Sequence, residues 1–206
     1  MNTPLIIAIA LLQALVAWRL SKVDVAAGWG PTRAVALMSL GLGIICPLIT
    51  LNHWPQFNTI AENAFTYLAI PSMALVMIAL TIPLAMSGPA YGRIIIAFMA
   101  LFELLRRLQM APLWGLLLIM LTALIGFVLV WRLISDQKAP SEHIKTVMVL
   151  ASGSIVLLLS LWATLINPDS ATNPSLWADI GPGIWWLAVG MSVCRILESK
   201  NPAETK

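Results

Sequence analysis

The sequence predicts an all-α fold: a polytopic transmembrane bundle of seven helices, with the N-terminus outside and the C-terminus in the cytoplasm. Three observations carry that expectation. Of 206 residues, 60% are hydrophobic and only 10% charged, and the mean hydropathy is +0.90, far from the composition of a soluble domain. Apolar runs of about 20 residues, the length a helix needs to cross a hydrocarbon layer of about 30 Å, recur along the chain. The twelve Lys and Arg residues also divide very unevenly between the two sides that such a topology creates.

The expected spans lie near 3–19, 33–53, 66–86, 91–110, 112–134, 145–166 and 177–195, within a single domain over 1–206 that ends in a short cytoplasmic tail at 196–206. "MNTPLIIAIALLQALVAW" lacks the positive n-region of a secretory signal and reads as a retained first span. Pro47 is placed to bend the second span, and Pro71 and Pro83 the third. Pro112 suits the first turn of the fifth span. In the seventh, Gly181, Pro182 and Gly183 are helix-break candidates, since proline withholds a donor and glycine permits close approach.

The fourth span is the one the apolar runs leave open, because Glu103, Arg106 and Arg107 interrupt it in "FELLRRLQMAP". Cation counting decides it. Without this crossing, Lys and Arg divide six to six. With it, Arg19, Lys22, Arg33, Arg93, Arg132, Lys138, Lys145, Arg195, Lys200 and Lys206 share one side, and only Arg106 and Arg107 oppose them. Ten to two is the bias of a positive-inside protein, which points to a bacterial cytoplasmic (inner) membrane. "NHWPQFNTIAEN" and "NPDSATNPSLW" then become external loops. Trp54, Trp162 and Trp177 fall near the outer interface, and Trp18, Trp29 and Trp131 near the inner one.

Trp18-Arg19-Leu20 closes the first span as Trp131-Arg132-Leu133 closes the fifth, and each is followed by a basic turn and a small-residue helix, "ALMSLGLG" and "VLASGSIV". Two three-helix units joined by one connecting helix would give a 3+1+3 pseudo-repeat of parallel units. In architecture alone, this resembles the layout of SWEET-type sugar transporters, although the prolines fall on different helices from those expected there.

Few residues promise chemistry. The sequence holds no G-x-S-x-G, H-x-x-x-H, C-x-x-C or P-loop pattern, so neither an enzyme nor a metal or other cofactor is expected. His53 and His143 belong to opposite sides, as do Cys46 and Cys194, so no shared metal and no disulfide between the cysteines is expected. Cations beside spans, rather than on one face, argue against a nucleic-acid partner. Glu103 has Arg106 at i+3 and Arg107 at i+4, spacings that join side chains on one helix face. Those three residues are either a self-neutralised anchor or a coupling group facing a cavity. Asp179, at the start of the seventh span, is either a helix-start carboxylate or a group attracting cations to a pore mouth. Together they are the binding or coupling candidates. The expected function is a small solute or ion carrier or channel. The alternative is a non-catalytic accessory, sensor or defence/lysis protein that assembles with itself or with other membrane subunits, and in either case the bilayer is the first partner.

Overall fold

A computed structural model describes residues 3–26, 28–51, 55–82, 85–135 and 176–199. The expected span at 145–166, both histidines, Trp54, Trp162 and Pro83 lie outside the described residues. Among the described residues the regular structure is entirely helical: α1 (Thr3–Lys22), α2 (Gly30–Leu51), α3 (Pro55–Ala64), a π-helical turn (Phe65–Ala69), α4 (Ile70–Thr81), α5 (Gly88–Arg107), α6 (Ala111–Ser135) and α7 (Leu176–Ser199). Four stretches, Pro4–Lys22, Gly30–Ile49, Gln56–Leu80 and Gly88–Arg107, are long and apolar enough to cross a membrane, as a membrane protein requires.

One expected boundary is corrected. The third rod begins at Pro55, not near 66, so the segment read as an external loop is helical from that proline onward. Its polar composition hid a helical pattern. Phe57, Ile60, Ala61 and Ala64 fall at i, i+3, i+4 and i+7, and Pro55 is preorganised for a first turn. Pro71, lacking an N–H and crowding the Tyr67 carbonyl one turn back, is absorbed by a π-turn in which the Ile70 N–H reaches Phe65 O. The rod therefore stays continuous from α3 into α4.

Contacts between named residues set the helix directions. Against α7, Ile9 faces Gly183, Val16 faces Gly190, and Arg19 pairs with Glu198 at 2.9 Å. Numbers rise together, so α1 and α7 run parallel. Against α2, Gln13 lies beside Gly43, and Arg33 donates to the Val23 carbonyl, so that pair is antiparallel. Thr32 and Tyr91 share a buried hydroxyl hydrogen bond of 3.1 Å near the starts of α2 and α5. At the other end of α5, Phe102 stacks on Tyr67 with ring centroids 4.0 Å apart. The ends of α1 and α7 and the starts of α2 and α5 thus gather at one end of the bundle, with Arg19, Lys22, Arg33, Arg93 and Arg195 on them.

α4 is the central rod, with Met73, Val76, Met77 and Ala79 fully buried. In lipid, apolar burial supplies little drive between helices, and close packing must supply it instead. Gly190 shows how: a Cβ there would meet Leu40 Cδ2 at 2.8 Å and Val16 Cγ1 at 3.2 Å, so α1, α2 and α7 meet over a bare backbone. Outward faces remain apolar. On α6, Leu113, Leu117, Met120, Leu124, Phe127 and Trp131 form an exposed stripe at helical spacing, as lipid contact demands.

Two tight turns complete the frame. Gly28, at φ 92°, turns α1 into α2 in the left-handed region. Gln109, at φ 59°, ends α5, and the Met110 N–H returns to Leu105 O at 2.9 Å, the hydrogen bond of a Schellman cap. The two Trp-Arg-Leu triplets each stop two residues short of a helix end, at Lys22 and Ser135. Trp18 and Trp131 are both exposed there, whereas Trp29, expected at the inner interface, is buried in the core.

Candidate functional site

Among the described side chains, the residues singled out in the sequence do not converge. Glu103 accepts from Arg106 Nε at 2.8 Å and Nη2 at 2.9 Å, and from Arg107 Nε at 2.9 Å. All three side chains are substantially exposed, at 41% for Glu103 and 58% and 74% for the arginines. The triplet sits on the outer face of the last turns of α5. α7 runs unbroken through Gly181, Pro182 and Gly183. It starts at Leu176, which puts Asp179 in its first turn; the surroundings of the Asp179 side chain lie outside the described residues. Among the described side chains of the named candidates, Gly183 borders a cavity.

That cavity, of about 150 Å³, lies where α1, α2, α7 and the π-turn meet. Ile6, Ile9, Cys46, Pro47 and Phe65 make its apolar wall, with Gly43, Gly183 and Trp186 closing it. Its polar group is Gln13, which is 2% exposed. Ten rises along α1 from Thr3 bring Gln13 about 15 Å in, half the depth of a bilayer core. Gln13 Nε2 donates to the Gly183 carbonyl at 3.0 Å, while Oε1 is buried and has no hydrogen-bond partner. An unpaired buried amide oxygen costs about 1–3 kcal/mol.

The walls around Gln13 are irregular in a consistent way. Pro47 has no N–H to give the Gly43 carbonyl one turn back, and Phe65 opens the π-turn. Phe65 meets Trp186 edge-on at 5.1 Å between ring centroids, and the Trp186 indole donates to the Ser39 carbonyl at 3.3 Å. Trp186 fits only because residue 43 is glycine: a Cβ there would fall 2.5 Å from its Cδ1. Such breaks in regular hydrogen bonding gather at functional sites, π-turns especially.

Gln13 was legible in principle. It is the one polar side chain between Pro4 and Trp18, and intramembrane polar groups are rarely idle. Trp186 and Phe65 carried no such signal. Among the described residues, no group of three His, Cys, Asp or Glu side chains could hold a metal ion. Chemically, the site offers the Gln13 amide in an otherwise aromatic and aliphatic pocket. No protein-family model, curated protein or solved structure matches the chain.

Proposed function

We propose that this chain is a small membrane carrier or channel for a modest-sized solute, with the Gln13 cavity as its solute site. The observation that carries the reading is the buried, unpartnered Oε1 of Gln13 at half the depth of α1, on a side chain that lines a cavity walled by a proline-bearing helix and a π-turn. Transporter sites are built at that depth from interrupted helices. A cavity of about 150 Å³ accommodates a benzene-sized molecule. One amide in an apolar wall suits a neutral solute bearing one donor better than a bare ion, whose desolvation it could not offset.

In this reading the chain crosses seven times, with a cytoplasmic C-terminus in a bacterial inner membrane. The parallel course of α1 and α7 supports an odd number of crossings. The gathering of Arg19, Lys22, Arg33, Arg93 and Arg195 at one end supports that end as the cytoplasmic one.

The test is flux through proteoliposomes containing the full chain, followed by light scattering over a panel of small neutral alcohols, amides and phenols. Permeation of at least one of them above that of empty vesicles, lost in Gln13→Leu, is the expected result. Equal rates with and without the protein across the panel would remove the proposal.

A further inference from the structure

A second cavity, of about 200 Å³, lies between α1 and α7, close to the end where their charged residues gather. Leu12, Leu15, Leu187 and Met191 form its length, and Arg19 and Arg195 stand at its head. From Leu12 to Arg19 is seven helical rises, about 10 Å. Both arginines lie within about a turn of their helix ends, Lys22 and Ser199, where headgroups begin.

The two arginines are in different states. Arg19 is satisfied by a two-pronged pair with Glu198, Nε to Oε1 at 2.9 Å and Nη2 to Oε2 at 3.0 Å. Cys194 Sγ lies 3.5 Å from the same Oε1, as a donor to it. Arg195 Nη1 is excluded from solvent and has no hydrogen-bond partner. The residue is only partly buried and lines the groove, so its guanidinium, short of an acceptor within the protein, is open there to an anion that would offset the cost. With Glu198 cancelling one arginine, the head of the groove keeps a net charge of one proton's worth, and its length is hydrocarbon.

We infer that this groove binds one anionic phospholipid, with its phosphate at Arg195 and one acyl chain along Leu12, Leu15, Leu187 and Met191. Basic pockets between membrane helices take such headgroups. The apolar length selects a lipid over a free anion, which would leave that wall uncovered. The groove shares no lining residue with Gln13's cavity, so lipid binding here does not depend on the solute reading.

The experiment is native mass spectrometry of the full chain in mild detergent, titrated separately with phosphatidylglycerol and phosphatidylcholine of matched chains, and with inorganic phosphate. One phosphatidylglycerol should be retained in preference to phosphatidylcholine. Arg195→Gln should weaken that retention about fivefold, the worth of one cation beside a headgroup, with Arg195→Lys recovering part of it. Leu187→Trp fills the apolar length and leaves the charges in place, so it should also lower retention, which covers the case in which Arg195→Gln fails to fold. Equal retention of the two lipids, unchanged retention in both Arg195→Gln and Leu187→Trp, phosphate displacing the lipid at millimolar concentration, or a second copy of the chain covering the groove would each overturn the inference.

Discussion

Gln13 and Gly183, 170 positions apart in the chain, are joined by one hydrogen bond of 3.0 Å from the glutamine amide to the glycine carbonyl. The bond fixes which way the amide faces. With Nε2 committed to α7, Oε1 lies on the α2 side beside Gly43, buried and without a hydrogen-bond partner.

Gln13→Leu should therefore separate stability from transport. The Gly183 carbonyl keeps its helical partner within α7, and the substitution also removes an unpaired acceptor. Interhelical hydrogen bonds in membranes are worth about 0.6 kcal/mol on average. The unfolding midpoint in detergent should shift by no more than a few degrees while solute flux is lost. A large drop in the midpoint would make Gln13 a structural residue.

Gly43→Ala should behave in the opposite way. The added methyl lands on the Trp186 indole, and overpacking of this kind costs about 1–3 kcal/mol. Thermal unfolding of the variant should come several degrees earlier than in the parent, and Trp186→Phe in the same chain should recover part of the difference. A Gly43→Ala protein as stable as the parent would mean that α2 and α7 are not packed this closely.

Glu103→Gln tests the charged triplet of α5. Its arginines are exposed and its carboxylate already satisfied within one helix face, so flux and membrane insertion should both stay within about twofold of the parent, as for surface pairs of small net worth. A loss of flux with normal folding would instead place Glu103 in the transport path.

Topology reporters fused after Gln109 and at the C-terminus should report opposite sides, the first outside and the second cytoplasmic. Both on one side would sink the seven-crossing arrangement.

The readable and unreadable parts of this molecule divide by distance along the chain. Glu103 with Arg106 and Arg107 could be paired from sequence because helix geometry alone brings i+3 and i+4 together. Pro112 marks the start of the next helix just as locally, because its fixed φ suits a first turn. Gln13 could be noticed but not matched with Gly183, since a span that is apolar on every face does not say which face looks inward. At the start of α3 composition and periodicity disagree: Asn, Gln and Glu suggest a loop, while Phe57, Ile60, Ala61 and Ala64 are in helical phase, and the periodicity prevails. Nothing in the sequence sets Trp186 apart, and only the absence of a side chain at Gly43 lets it close a cavity.

The parallel pairing of α1 with α7 also bears on how the chain is born. α1 leaves the ribosome well before α7, yet the partners of its amide and its arginine, Gly183 and Glu198, lie on that later helix. Throughout synthesis Gln13 must wait in the bilayer with both ends of its amide unmet. The first helix can therefore be only provisionally seated, and truncation within α7 should release it to degradation even though every earlier helix is intact.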